Sequence, residues 1–167
     1  KIDLYAVFIE KCSNMAKVNR YFSMITQHGW MFLSSFEKLR NIIKRYSTVN
    51  MLHLGPRAFD EISGEVVQST AFVMMHRTSN KYKGLFSRLL SGMSETEKEK
   101  LFLSAKCNYV SSQENYDKIP GCPIAYWVSD AILNSFDDDT SASKYADFRH
   151  GMSTSDNNRF LRFWFEP

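Results

Sequence analysis

The sequence predicts an α/β fold, and three observations carry that prediction. Residues Asp3–Lys17 place apolar side chains at helical spacing and lead into the strand-like run Arg20–Thr26, RYFSMIT. The same order repeats with a helix over 34–46 and a strand over Thr48–Leu54. A third apolar run, Val66–Met75, returns after a connection too long for a two-residue hairpin turn. Helix–strand alternation feeds a parallel sheet. The returning strand is therefore expected to run antiparallel, at or near the sheet's edge.

In the first helix Leu4, Val7, Phe8, Cys12 and Met15 share a face, with Glu10, Lys11 and Lys17 turned outward. After the first strand comes Gln27-His28-Gly29-Trp30-Met31-Phe32-Leu33. Two readings stand for it: a ligand-facing segment at a strand's carboxyl end, or a turn whose aromatics pack under the next helix. Ser34 and Glu37 have capping-box spacing. Phe36, Leu39, Ile42, Ile43 and Tyr46 form the second helix's buried stripe, and Lys38, Arg40, Lys44 and Arg45 its solvated face. Gly55-Pro56, Arg57, Phe59 and Ser63-Gly64 then form a long loop between two strands, the usual place for binding groups held on a rigid scaffold.

Lys81–Leu90 reads as a further strand, and Ser94 with Glu97 as a second capping box opening a charged helix to Leu103. The pattern from Tyr109 to Lys118 is weak. Residues 119–123 form a turn, with Pro123 suited to the first position of a helix over Ile124–Phe136. An acidic, then small and polar stretch over 136–145 reads as a loop. Gly151–Phe160 offers small polar groups, two amides and Arg159, suited either to phosphate contacts or to an ordinary surface loop.

The 167 residues fit one domain with a moderate core. At 44% hydrophobic and 23% charged the chain is globular, and a net charge of +3 permits a nucleic-acid partner without demanding one. Three dispersed cysteines with no CxxC pair exclude a zinc cluster, so no metal is expected, and they read as reduced thiols of a cytoplasmic protein. No apolar run reaches the ~20 residues that span a bilayer, and no membrane association is expected. Glycine-rich phosphate loops, GxSxG elbows and HExxH motifs are all missing. The start at Lys1 and the finish straight after an aromatic run read as a piece of a longer protein.

Read together, DLYAVFIEKC, YFSMITQHGWMFLSSFEKLR, MLHLGPRAFDEISGEVVQSTAFVM, KIPGCPIAYWVS and GMSTSDNNRFLRFWFE resemble adenine-specific DNA methyltransferases. Within that group the likeness is to the large methylase of BREX phage-defence systems, the PglX family. The resemblance implies a Rossmann-like, S-adenosylmethionine-dependent fold whose seven-stranded sheet ends in an antiparallel strand. Residues 1–77 would be the C-terminal half of the catalytic domain, 78–148 a mixed α+β extension, and 149–167 the start of the target-recognition region. The family's cofactor loop and Asn-Pro-Pro-Tyr motif do not occur here. No catalytic residue is therefore assigned, no cofactor contact is assigned, and the chain alone is expected to be inactive and to hold S-adenosylmethionine poorly.

By the same resemblance Phe59 occupies the place of the ring that stacks on a flipped-out adenine. The alternative is that Phe59 anchors its loop on the core. An aromatic face returns roughly 1–3 kcal/mol of the stacking a base loses on leaving the duplex. Arg57 would meet a phosphate, and Gln27 and His28 would border the pocket. GMSTSDNNRF resembles a family motif Gly-x-x-Thr-Gly-Asp-Asn-x-Arg-Phe, with Ser155 where the family has Gly. It marks Asn157 and Arg159 as DNA contacts. The implied partners are double-stranded DNA and other phage-defence subunits. Two other readings stand beside this one: a non-enzymatic nucleic-acid-binding or scaffold module built on a methylase fold, and a methylase acting on RNA or protein. An Asn-Pro-Pro-Tyr shortly upstream of Lys1 separates the enzyme from the module.

Overall fold

The computed structural model describes residues 3–59, 67–77, 79, 82–136, 144–147 and 149. The chain divides into two units, 1–137 and 138–167. In the second unit Arg149 pairs with Asp147 at 2.7 Å on the surface.

The first unit runs α1 (Leu4–Met15), β1 (Tyr21–Gln27), α2 (Glu37–Ile43), β2 (Ser47–Gly55), β3 (Ser69–Met75), β4 (Lys83–Arg88), α3 (Glu95–Ser104), β5 (Asn108–Ser112), α4 (Glu114–Asp117) and α5 (Asp130–Ser135). The strands form one mixed sheet in the order β1-β3-β2-β4-β5. Strand β3 is antiparallel to both β1 and β2, and β4 is parallel to β2. The returning strand is thus antiparallel as its loop required. It lies next to the edge strand β1, between β1 and β2, where both of its hydrogen-bonding sides find partners.

Alternation along the strands builds two rows across one face of the sheet. Met24, Phe72, Met51, Phe86 and Tyr109 are register partners in an apolar row over all five strands. One step further, toward the carboxyl ends of β1, β2 and β4, comes a polar row of Thr26, Thr70, His53 and Arg88. Side chains of α1 and α2 cover the apolar row: Ile9, Leu39 and Ile43 join Trp30, Met51, Phe72 and Phe86 in the core.

Several expectations are corrected. The first helix lies where its periodicity placed it, but Ala6, Ile9 and Ser13 are buried while Leu4 is 70% exposed, and Val7, Phe8 and Met15 are exposed too. Apolar side chains on two sides of one helix leave periodicity no means of choosing the inner one. Ser34 does not cap α2. Residues Ser34–Phe36 wind as a 3-10 turn and the helix starts at Glu37. The Ser94 box does form: Ser94 Oγ accepts from the Glu97 N–H at 3.3 Å, and Glu97 Oε2 accepts from the Met93 N–H at 2.8 Å.

Arg40 is not on a wet face but 3% exposed, donating to the carbonyls of Trp30, Leu33 and Gly121. The helix expected from Ile124 starts only at Asp130. Residues 124–126 are instead an irregular buried plug, with the Ile124 N–H donating to Met31 at 2.9 Å. Three consecutive buried residues cannot all face inward from an exposed helix.

Candidate functional site

The polar row opens onto a cluster of rings at the carboxyl ends of the strands. His53, 3% exposed on β2, sits at its centre. Its Nε2 is 2.8 Å from Nδ1 of His28, and its Nδ1 is 3.0 Å from the Tyr126 hydroxyl. Either direction of this chain is self-consistent. If Tyr126 donates, His53 donates in turn to His28; if Tyr126 accepts, His28 donates to His53.

Burial, then the nearby His28, Arg88 and Lys98, lower His53 from its ordinary 6.5 to about 4. Burial also lowers His28. Burial raises the Tyr126 phenol, opposed by Arg88, so it keeps its proton. Both imidazoles are therefore neutral near pH 7.

Rings wall this chain. Phe32 lies 5.6 Å from both His28 and His53, and Trp127 lies 5.6 Å from Phe32. Tyr126 stacks on Phe86 of the apolar row at 4.7 Å and 8°, which fixes where its hydroxyl points. The Arg88 guanidinium lies 5.4 Å over the Trp127 ring.

Two segments outside the sheet hold these groups, and Arg40 ties them together. Its guanidinium bonds the loop after β1 through Trp30 and Leu33, and the turn before the plug through Gly121. Trp30 is fully buried, with its indole N–H donating to Thr26 Oγ1 at 3.1 Å. For Trp30 the packing reading holds, while Phe32 and His28 reach the site.

The chain leaves β2 sharply. Gly55 has φ +68°, and a Cβ there would collide with the Leu90 side chain. Arg57, half-buried, follows at φ +55°. Phe59 is 38% exposed, so it is not buried as a core anchor. The far end of this connection stays close to β1, since the His28 N–H donates to the Gln68 carbonyl at 2.9 Å. Gln27 is exposed as the last residue of β1, opposite Ser69. The structure thus sets Gln27, His28 and the start of the Phe59 loop at one end of the sheet. Asn157 and Arg159 lie outside the described residues. His53, Arg88, Tyr126 and Trp127 escaped sequence reasoning, though a histidine on the inward phase of an apolar strand was a signal for the first. No group of three metal-ligating side chains occurs among the described residues.

The Eco57I restriction-modification methylase family model matches residues 1–59. The adenine-specific methyltransferase PglX of Lacticaseibacillus casei (strain Zhang) is 44% identical over 99% of this chain and 14% of its own length. The adenine-specific methyltransferase BrxX of Escherichia coli O9:H4 (strain HS) is 42% identical over 81% of this chain and 11% of its own length. The type IIG restriction endonuclease BpuSI shares the fold, with a TM-score of 0.52 at 12% identity over 80% of this chain and 17% of that one. These likenesses are to methylases of the restriction-modification type. More narrowly, the chain belongs to the adenine-specific methyltransferase family that includes PglX and BrxX, and it spans about a seventh of the length of the first.

Proposed function

We propose that this chain is the DNA-facing, C-terminal part of the catalytic domain of a DNA adenine methyltransferase acting in phage defence in the cytoplasm. The complete enzyme transfers a methyl group from S-adenosylmethionine to the exocyclic amine of an adenine extruded from duplex DNA. In this reading the sheet is the closing part of a Rossmann-like fold. Its strand β3, antiparallel to both neighbours, supports that assignment. Residues 1–77 belong to the catalytic domain, 78–148 extend it, and 149–167 begin the target-recognition region.

The chain has no glycine-rich loop to hold the cofactor, so its own residues act on the DNA. Phe59 stacks on the extruded adenine, Arg57 meets a phosphate beside it, and Gln27 and His28 form the pocket rim. Asn157 and Arg159 contact DNA further along. The observation that carries the reading is the exposed ring of Phe59, on the loop that leaves the carboxyl end of β2 beside His28.

The test is Phe59→Ala in the full-length enzyme. Losing about 1–3 kcal/mol of stacking predicts a fall in methylation of roughly one to two orders of magnitude, with an unchanged melting temperature. Wild-type methylation in that variant removes Phe59 from the site. A second measurement addresses the division of labour. Calorimetry of the isolated chain with S-adenosylmethionine is expected to give no heat of binding, and micromolar affinity would place cofactor contacts inside it.

A further inference from the structure

The four members of the polar row are not equally satisfied. Thr26 Oγ1 accepts from Trp30 and donates to the Gln27 carbonyl, Thr70 Oγ1 donates to the Leu52 carbonyl, and His53 uses both ring nitrogens. Arg88 is the exception. Its Nε is buried and makes no hydrogen bond, and its terminal nitrogens make none among the described residues. Its Cζ lies 5.4 Å over the Trp127 ring, a contact that uses none of its N–H groups.

The charge around Arg88 is also one-sided. His53, its register partner, is neutral. The nearby Lys98 ammonium donates to the carbonyls of Leu54, Leu89 and Gly92. An arginine at a strand's carboxyl end, held over a ring with its donors unmet, lacks an anion among the described residues. A buried donor without an acceptor pays for its lost hydration, and a bound anion restores the missing bond.

We propose that Arg88, set in place by Trp127, binds a backbone phosphodiester of the DNA strand that delivers the extruded base. The inference rests on the methyltransferase reading and deepens it. The phosphodiester is chosen over a small anion by position. Arg88 ends the strand parallel to and beside β2, from whose carboxyl end the Phe59 loop rises, so DNA seated on that loop crosses it. Arg88 and Trp127 give the strand a fixed point two strands beyond β3, away from the reacting amine. The arrangement suits arginine because a flat guanidinium stacked on a ring still presents its edge to two phosphate oxygens.

The experiment is Arg88→Gln in the full-length enzyme, with binding to cognate and non-cognate duplexes followed over about 50–200 mM salt. One lost phosphate contact predicts that the slope of log affinity against log salt becomes shallower by about 0.9. Affinity should fall several-fold and equally on both duplexes. If Arg88→Gln loses its melting transition, Arg88→Met, which keeps the aliphatic stem against Trp127, is read in the same way. Trp127→Leu keeps the charge, so it should weaken binding at wild-type slope, and unchanged affinity there overturns the role of the ring. An unchanged slope in a folded Arg88 variant that still methylates overturns the phosphate contact and leaves the methyltransferase reading standing. Failure of the unsubstituted enzyme to bind any duplex overturns both.

Discussion

The apolar and polar rows lie one inward-facing position apart on the same strands, and they do different work. In the apolar row Met24, Phe72, Met51 and Phe86 bury side chains that need nothing but contact. In the polar row every buried group must find a specific partner or carry a cost. The partners arrive from far away in sequence: Tyr126 from 73 residues beyond His53, and His28 from 25 residues before it. A scaffold and a site can therefore share one sheet face if the switch between them is a single step along each strand.

Substitutions can break that comparison, and the largest effect is expected in the apolar row. Phe72→Ala, at a site packed edge-on against Trp30 and Phe22, should cost about 3–5 kcal/mol in denaturant unfolding. A cost below about 1 kcal/mol would mean the row is not the scaffold.

The polar row should show itself through pH. His53 is lowered to about 4 by burial first and by its cationic neighbours second. The unfolded chain therefore takes up that proton before the folded one does. Stability is complete above pH 6.5 and is lost as pH falls from 6.5 toward 4, by roughly 3 kcal/mol. His53→Phe, which extends the apolar row by one position, should flatten this part of the stability–pH curve. An equally steep curve would assign the titration elsewhere.

Arg40→Met sharpens the comparison at the seam between loop and plug. It leaves the carbonyls of Trp30, Leu33 and Gly121 without their donor and should cost about 1–3 kcal/mol. Smallest of all is Ile25→Ser, on the opposite phase of β1 and 61% exposed, expected within about 0.5 kcal/mol.

The strands were legible because their alternation and β-branched content are local properties. Strand β3 lies within the run that predicted it, and β2 (Ser47–Gly55) exceeds its predicted run Thr48–Leu54 by one residue at each end. Phe59's loop was legible for the same reason, as the segment too long and too polar to be part of either strand. What local pattern could not supply was a choice of inside. The apolar residues on both sides of α1 and the inward turn of Arg40 are decided by distant partners. Arg40 looked solvated because charged residues on helices usually are, and three carbonyls from two other segments overrule that. The 124–126 plug was misread as helix because Ile124, Trp127, Val128, Ala131 and Ile132 fit a period that the packing of Tyr126 on Phe86 does not permit. Arg88 carried no signal and Trp127 only a misleading helical one, since their meaning lies in contacts across the fold.

The wedging of β3 between β1 and β2 also makes one edge of the sheet depend on a single segment. Strands β1 and β2 do not pair with each other, so β1 joins the sheet only through its ladder with β3. Without Ser69–Met75, β1 and β2 would be two unjoined ribbons.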